Sequence, residues 1–235
     1  MGFPVLIIGD SGVGKTYAIK NLDPEKTGIF LCEKSRLPFR KKFNTYYVRN
    51  MKRTTEDNKE QTIRQSMVIQ TILRSPKDPK KIYVIDDSQY LMSNEYFDRA
   101  GETGYQKFTD IGCNFRNLIH LVNDELDENT IVYFLHHPEV DQNTGKTKAK
   151  SIGKMLDEKL TIEGCFNVVL HAKTDGQDHW FLTQSDGTDT AKSPEDMFPE
   201  RIPNDLALVD KAIREYYGME AVLYGDRRVS PLPPE

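Results

Sequence analysis

The chain has 235 residues, of which 37% are hydrophobic and 29% are charged, and its formal net charge at pH 7 is -4. This length and composition predict one soluble domain with a sizeable core, and no apolar stretch is long enough to span a bilayer. The negative net charge excludes a protein that coats nucleic acid through bulk charge, although a local basic surface is compatible with it.

The cysteines and the first residues of the chain indicate a reducing compartment. Cys32, Cys113 and Cys165 have no C-x-x-C spacing and lie in apolar or helical contexts. This arrangement favours reduced core residues over a disulfide framework or a zinc site. No basic segment precedes an apolar one at the N-terminus, so we expect a cytoplasmic protein.

A glycine-rich motif directly follows the first apolar run, residues 4–8. It matches the pattern G-x-x-x-x-G-K-[ST] of the phosphate-binding P-loop. The motif comprises Gly9, Asp10, Ser11, Gly12, Val13, Gly14, Lys15 and Thr16. Glycines let the backbone curl around phosphates with its N–H groups pointing inward, at φ values that a Cβ would forbid. The motif therefore predicts a nucleotide site in which Lys15 contacts the phosphates and the Thr16 hydroxyl contacts Mg²⁺.

The next elements place a carboxylate beside this motif. Residues 16–22 are expected to form a short helix, and residues 28–32 form an apolar run typical of a strand buried on both faces of a parallel sheet. Glu33 follows this strand at its carboxyl end, where open parallel sheets bind their ligands. Glu33 is therefore a candidate to polarise the water that attacks a γ-phosphate, and an acidic cap on a loop is the alternative.

Residues 34–53 are rich in basic side chains, with aromatic residues between them. The candidates for DNA binding in this segment are Arg40, Lys41 and Lys42. Such a mixture can follow a phosphate backbone and stack bases, but a solvated loop around a short strand at residues 45–48 explains it nearly as well. A helix is expected at residues 55–74, before a serine and a proline.

A second signature of a nucleotide site, the Walker B pattern, lies at residues 82–87. Four strand-forming residues precede Asp86 and Asp87. A buried strand there would place a carboxylate opposite Thr16, where it could hold Mg²⁺. Because side chains alternate along a strand, only one of the two carboxylates points inward, and the sequence leaves open which one serves the metal.

The clearest helical pattern covers residues 108–126, after a connection at residues 91–104 that is expected to be mobile. Its apolar residues form one stripe at 3.6 residues per turn, which predicts a helix that covers the sheet. The next buried strand, residues 130–135, ends at His136, a candidate to contact the γ-phosphate; a pair of turn histidines is the alternative. His136 and His137 are not expected to share a metal, because adjacent side chains do not lie on one face.

A lysine-rich segment follows, at residues 139–153. The DNA-binding candidates in it are Lys146, Lys148 and Lys150, and Lys154 and Lys159 come after them. This segment could bind nucleic acid or reach the phosphates of a neighbouring subunit, and a merely solvated loop is the alternative.

The last third of the chain predicts a hairpin and a helix. Residues 165–172 and 179–183 are expected to pair across a turn. Asn204 or Asp205 would cap a final helix that stops at Gly218. We therefore expect one P-loop domain over residues 1–218 and a flexible, proline-containing tail over residues 219–235.

Taken together, these residues resemble the phage-encoded AAA/RecA-like ATP-binding proteins, the small recombinases of Sak type that carry a RecA core alone. The resemblance runs from Met1 to about Gly218. It rests on the P-loop, on Glu33 and on four later motifs, which are residues 85–90 (IDDSQY), 151–156 (SIGKML), 191–194 (AKSP) and 202–206 (IPNDL).

The resemblance implies a RecA-like α/β fold with a mostly parallel central sheet, flanking helices and a C-terminal β-hairpin. It implies that Glu33 is the catalytic glutamate, that His136 is the sensor and that residues 139–153 form a DNA-binding loop. Lys154 or Lys159 would act across a subunit interface. The resemblance further implies ATP and Mg²⁺ as cofactors, single-stranded DNA as a partner, and assembly into rings or filaments. The DNA-binding domains of full-length RecA are not recognisable here, so annealing is expected instead of strand exchange.

The sequence thus predicts a Mg²⁺-dependent ATPase that acts on single-stranded DNA in phage recombination or replication, in the cytoplasm of the host cell. An AAA-type helicase loader or remodelling ATPase is one alternative. Another is a nucleotide-gated binding module with little turnover that recruits a single-strand-binding or replication protein. No N-K-x-D base-reading motif is present, which favours adenine over guanine.

Overall fold

The computed structural model describes residues 1–54, 57–58, 60–153 and 160–223, which build a central sheet with helices on both faces. The strands in chain order are β1 (Phe3–Ile8), β2 (Thr27–Leu31), β3 (Asn44–Tyr47), β4 (Met51–Thr54), β5 (Glu60–Ile63), β6 (Ile82–Asp86), β7 (Ile131–His136), β8 (Pro138–Val140), β9 (Thr147–Ala149), β10 (Val168–Thr174), β11 (His179–Leu182) and β12 (Arg201–Pro203). The α-helices of the described residues are α1 (Gln65–Arg74), α2 (Tyr90–Asp98), α3 (Gln106–Glu125) and α4 (Leu206–Tyr217). Short 3₁₀ segments cover Thr16–Asn21 and Ile162–Cys165.

Eight of the described strands form the central sheet, in the order β12-β11-β10-β1-β7-β6-β2-β3. The strands from β10 to β3 are all parallel to their neighbours, whereas β11 and β12 pair antiparallel at one edge. The predicted α/β fold with a mostly parallel sheet is therefore confirmed, and so is the hairpin that β10 and β11 form. Because parallel strands end at the same edge, the residues that follow β1, β2, β6 and β7 gather there.

The sheet is buried on both faces, as its apolar strands predict. In β1, Leu6 and Ile8 pack under α1, α2 and α3, whereas Val5 and Ile7 pack under α4 and the first 3₁₀ segment. The stripe of α3 lies against the first of these faces, with Phe115 buried in it. Burying an apolar side chain of this size contributes roughly 1.5–3 kcal/mol, so these two layers hold the sheet in place.

Three segments differ from the sequence-based expectations. Residues 60–63 are strand β5, paired with β4, and the helix expected at residues 55–74 begins only at Gln65. β5 is mostly exposed, and it lacks the apolar stripe that would pack a helix onto the sheet. The connection expected at residues 91–104 contains α2, whose Leu91 and Met92 are buried. The short helix expected after the P-loop is a 3₁₀ segment.

The C-terminal helix has the predicted boundaries. Asp205 is its cap, because its carboxylate accepts a hydrogen bond from the backbone N–H of Ala207, and Gly218 ends it with a φ of 64°. Beyond the helix, Met219 and Val222 pack against the core in the segment expected to begin a flexible tail. Residues 224–235 of that expected tail lie outside the described residues.

A buried ion pair fastens α4 to the sheet. The Arg214 guanidinium donates from Nε to Asp210 at 2.5 Å and from Nη1 to the carbonyl of Asn129 at 2.9 Å. The Tyr133 hydroxyl of β7 donates to the same Asp210 carboxylate at 3.3 Å. Arg214 therefore neutralises a buried carboxylate and also satisfies backbone carbonyls.

We expect the substitution Arg214→Ala to lower the free energy of unfolding by roughly 3–5 kcal/mol, because it removes the cation that neutralises the buried carboxylate of Asp210. Urea denaturation followed by circular dichroism measures this loss. The matched control is Lys211→Ala, whose exposed pair with Glu215 on the same helix contributes about 1 kcal/mol at most. Equal losses in the two variants would contradict the prediction.

Candidate nucleotide-binding site

A cavity of ≈ 630 Å³ lies over the P-loop at the carboxyl edge of the sheet. Its volume is in the range of sites that bind small ligands and cofactors. The residues that line it are Ser11, Gly12, Gly14, Lys15, Thr16, Tyr17, Pro38, Asp87, Tyr90, His137 and His179. Five of these belong to the P-loop motif, so the motif and the cavity coincide.

The backbone of the P-loop has the conformation that its glycines permit. Gly12 and Gly14 have φ values of 86° and 93°, in the left-handed region that side chains disfavour. A Cβ at Gly14 would also lie 2.5 Å from the side-chain nitrogen of Asn204. The backbone angle therefore favours glycine at position 14, and a Cβ there would also displace the Asn204 side chain from its contact.

Lys15 is folded back into the loop. Its ammonium donates hydrogen bonds to the carbonyl oxygens of Gly9 at 2.6 Å and Asp10 at 2.9 Å. Burial lowers the pKa of Lys15, and the nearby carboxylates of Asp87 and Asp86 oppose that shift. The structure thus holds a buried cation at the centre of the loop, where phosphate oxygens would meet it.

Thr16 and Asp86 meet although 70 positions separate them in the chain. The Thr16 hydroxyl donates to Asp86 at 3.0 Å from one carboxylate oxygen and 3.3 Å from the other. Asp86 is 3% exposed, and its pKa is raised to about 6, first by burial and then by the charge of Asp87. Burial and the charge of Asp87 both disfavour the ionised form of Asp86, so a cation bound beside it would stabilise the ionised carboxylate.

This pair of oxygen groups fits Mg²⁺, which prefers hard oxygen ligands. Within the described ranges there is no cluster of three or more His, Cys, Asp and Glu side chains that could hold a metal by itself. A Mg²⁺ ion held by Thr16 and Asp86 would therefore take its remaining ligands from phosphate oxygens and water, as is usual for this metal.

Asp87 has a different environment from Asp86. Its backbone is left-handed, with a φ of 58°, and its carboxylate accepts a hydrogen bond from Nε2 of His137 at 3.1 Å. The His137 ring also lies edge-on to Tyr90, with 6.1 Å between the ring centroids. All three side chains line the cavity. The structure thus turns Asp86 towards Thr16 and Asp87 towards His137.

His136, the residue that the sequence analysis singled out, is buried away from the cavity. It is 0% exposed, its Nε2 donates to the carbonyl of Lys150 at 2.9 Å, and its Nδ1 accepts from the Ser88 hydroxyl at 2.9 Å. Burial lowers the pKa of His136 to about 4, so the ring is neutral at pH 7. Its neighbour His137 occupies the position in the cavity that was expected for His136.

Glu33 follows β2 at the same edge of the sheet, beside the strand that carries Asp86. The Asn94 side chain of α2 donates to the Glu33 carboxylate at 2.8 Å and to Gln65 at 3.2 Å. Gln65 in turn donates to the carbonyl of Cys32 at 3.1 Å. Glu33 is therefore held by a side-chain network, although it is not among the residues that line the cavity.

Two residues from the last third of the chain contact the P-loop, and their contacts were not found by sequence reasoning; of the two, His179 lines the cavity. Nδ1 of His179 donates to the carbonyl of Val13 at 2.8 Å, and the Asn204 side chain donates to the carbonyl of Gly14 at 3.0 Å. Both contacts join residues more than 160 positions apart, so no local pattern could have indicated them.

The predicted DNA-binding residues have different surroundings. Lys41 donates to the carbonyl of Leu22 at 2.6 Å, and Lys148 pairs with Asp141 across the β8–β9 turn at 3.1 Å. The remaining candidates in the described segments, Arg40, Lys42, Lys146 and Lys150, are exposed. Lys154 and Lys159 lie outside the described residues.

The AAA domain family model matches residues 4–142, more than half of the chain. The chain belongs to the AAA domain family. It is therefore a P-loop nucleotide-binding protein of the AAA ATPase type, and the match includes the P-loop, Asp86, Asp87 and both adjacent histidines. His179 and Asn204 lie beyond the matched residues.

A comparison with curated protein sequences gave no match. In the part of the chain that the structure describes, no helix has the length and apolar character needed to cross a membrane.

The low pKa of His136 predicts a pH-dependent contribution to stability. The folded protein binds this proton only near pH 4, whereas the unfolded chain binds it near pH 6.5, so the contribution is complete above pH 6.5 and is lost as the pH falls towards 4. The loss is on the order of 3 kcal/mol. It is measured by urea denaturation at pH 7 and at pH 4.

The variant His136→Asn is the reference for this measurement, because the raised pKa of Asp86 acts in the opposite direction in both proteins. Between pH 7 and pH 4 the wild type should lose about 3 kcal/mol more than the variant. The same loss in both proteins would mean that His136 titrates as an exposed histidine.

Proposed function

We propose that this AAA-family protein is a Mg²⁺-dependent ATPase that acts on single-stranded DNA. The observation that carries the proposal is the contact between the Thr16 hydroxyl and the Asp86 carboxylate, beside the buried ammonium of Lys15, in a cavity of nucleotide size. These groups are the ones that hold a nucleoside triphosphate and its metal in P-loop enzymes.

The P-loop and the carboxyl end of β6 would bind different parts of the ligand. The backbone N–H groups of the loop and the Lys15 ammonium would bind the phosphates, and Lys15 would exchange its bonds to the carbonyls of Gly9 and Asp10 for phosphate oxygens. Thr16 and Asp86 would hold Mg²⁺, which when bound neutralises charge on the phosphates. The lack of an N-K-x-D motif favours ATP over GTP as the nucleotide.

Glu33 is the proposed base that orients the attacking water, and Asn94 is the residue that holds its carboxylate in place. His137 takes over the role of γ-phosphate contact first predicted for His136, because it lines the cavity and His136 does not. The hydrogen bond to Asp87 orients the His137 ring.

The proposed DNA surface consists of the exposed basic residues that follow β2 and β7, namely Arg40, Lys42, Lys146 and Lys150. Lys146 and Lys150 lie beyond β7 at the nucleotide edge of the sheet, so DNA bound there would lie near the site of hydrolysis, whereas Arg40 and Lys42 come shortly before β3, which begins at the opposite edge. A role in phage recombination by annealing, and assembly into rings or filaments, are proposed from the resemblance in sequence motifs. Trans-acting roles for Lys154 and Lys159 are proposed on the same basis.

A second candidate function is an AAA-type helicase loader or remodelling ATPase, which membership of the AAA domain family favours. The two functions differ in their response to DNA. Turnover that rises several-fold with single-stranded DNA alone supports the recombinase. Turnover that rises only with a replication protein supports the loader, and tight ATP binding without phosphate release supports a nucleotide-gated module.

Substituting Lys15 and Glu33 separately should distinguish nucleotide binding from hydrolysis. We expect Lys15→Ala to abolish ATP binding in isothermal titration calorimetry, because it removes the phosphate cation. Glu33→Gln should bind ATP normally but release phosphate about 100-fold more slowly, since a general base contributes roughly 10²–10⁴ in rate.

Glu128→Gln is the matched control for the Glu33 substitution, because Glu128 is exposed at the opposite edge of the sheet, before β7. It should change neither binding nor turnover. Normal turnover by Glu33→Gln would remove Glu33 from the mechanism.

Charge reversal of Lys146 and Lys150 together should weaken binding of single-stranded DNA and flatten its salt dependence by roughly 0.7 in log–log slope for each lost phosphate contact. Arg40→Glu with Lys42→Glu tests the other segment in the same way. Fluorescence anisotropy with labelled oligonucleotides at several salt concentrations measures both quantities.

Lys148 is left unchanged in these variants, because reversing its charge would also disrupt its pairing with Asp141. The exposed Lys77, before β6 at the opposite edge of the sheet, provides the control Lys77→Glu. An unchanged affinity in both double variants would show that these segments are solvated surface only.

A further inference from the structure

Strands β11 and β12 together with Asn204, here called the C-terminal ribbon, reach the P-loop from the side of β10. His179 is the first residue of β11, and Asn204 directly follows β12. The backbone N–H of Asn204 donates to the carbonyl of His179 at 3.2 Å, which joins the two residues to each other. Their side chains donate to the consecutive carbonyls of Val13 and Gly14.

These two hydrogen bonds help to fix where the N–H groups of the loop point, and the carbonyl of Gly14 also accepts a hydrogen bond from the N–H of Ala18 at 3.0 Å. A trans peptide unit is planar, so its C=O and N–H bonds point in opposite directions. Holding the carbonyl of Val13 on the ribbon turns the N–H of Gly14 away from it, and holding the carbonyl of Gly14 does the same for the N–H of Lys15. Backbone N–H groups at these positions are the ones with which a P-loop cradles phosphates.

The C-terminal ribbon is anchored to the core and to α4. Phe181 and Ile202 are buried in the core beside α4. Asp205, which follows Asn204, caps α4 and also accepts a hydrogen bond from Asn21 at 2.5 Å. The ribbon can therefore hold the flexible, glycine-containing loop against a rigid support.

A contribution to folding stability does not by itself explain the polar side chain of Asn204. Its side-chain oxygen is buried and has no hydrogen-bond partner among the described residues, which costs free energy on folding. The side-chain nitrogen of the same residue packs so closely on Gly14 that a Cβ there would displace the Asn204 side chain. A polar residue at this position is accounted for by its bond to the P-loop.

We propose that the C-terminal ribbon is part of the nucleotide site, in which His179 and Asn204 act as positioning residues for the phosphate-binding N–H groups of Gly14 and Lys15. The inference rests on the proposed nucleotide binding and extends it to residues beyond those that match the AAA domain family. The ligand concerned is the phosphate chain of a nucleotide, whichever base it carries.

The test compares variants that remove a hydrogen-bond donor to the P-loop with a variant that keeps this donor. His179→Leu removes the donor to Val13, whereas His179→Asn places a side-chain nitrogen near the position of Nδ1. Asn204→Asp keeps the shape but replaces the donor by a carboxylate. Dissociation constants for Mg·ATP and Mg·ADP are measured by isothermal titration calorimetry, with Gln177→Ala in the exposed β10–β11 turn as control.

We expect His179→Leu and Asn204→Asp to weaken binding of both nucleotides about tenfold, the size of one lost neutral hydrogen bond. His179→Asn should stay within about threefold of the wild type, and Gln177→Ala should match it. The emission of Trp180, the single tryptophan of the chain, reports whether the ribbon is intact in each variant. If His179→Leu fails to fold, Asn204→Asp and His179→Asn carry the test.

Two results would overturn the inference. One is unchanged affinity in both donor-removing variants while the wild type binds nucleotide. The other is a His179→Asn protein that binds as weakly as His179→Leu, because the ring would then contact the nucleotide itself. A wild type that binds no nucleotide would refute the proposed function instead. In that case the calorimetric signals of the wild type and of Lys15→Ala would be the same.

Discussion

The contact between the Thr16 hydroxyl and the Asp86 carboxylate is the interaction on which the site depends. It joins the loop after β1 to the end of β6, although β7 lies between these strands in the sheet. The contact is achieved because parallel strands present their carboxyl ends at one edge, where the P-loop can curl across β7. It also places the buried carboxylate of Asp86 and the half-buried one of Asp87 near Lys15, so the site has charges that a bound metal and phosphate would balance.

The P-loop is supported on two sides. On one side Asp86 holds Thr16, and on the other His179 and Asn204 hold the carbonyls of Val13 and Gly14. The first support comes from the part of the chain that matches the AAA domain family, and the second comes from the antiparallel strands added at the edge of the sheet. Glycines leave the loop conformationally free, so a defined shape requires such external hydrogen bonds.

Neighbouring residues at the ends of β6 and β7 have different surroundings because each strand ends between them. Asp86 ends β6 and faces Thr16, whereas Asp87 adopts a left-handed backbone and meets His137. His136 ends β7 inside the protein, and burial keeps its ring neutral, whereas His137 faces the cavity. A shift of one residue thus decides between a structural side chain and one that can contact a ligand.

Local sequence determined much of this protein: the P-loop, the buried parallel strands, the amphipathic α3 and the boundaries of α4 follow from short patterns. These patterns work because periodicity and glycine placement record burial and backbone angle directly. Only the tertiary structure decided that residues 60–63 form a strand, that Asp86 and not Asp87 meets Thr16, that His137 and not His136 lines the cavity, and that Lys148 is paired. The contacts of His179 and Asn204 belong to the same group. The partners of β5 and Lys148 are near in the chain, but they belong to polar, exposed hairpins in which no apolar periodicity indicates the pairing. The contacts of Asp86, His179 and Asn204 join residues at least 70 positions apart, and a local pattern contains no record of which distant groups the fold brings together.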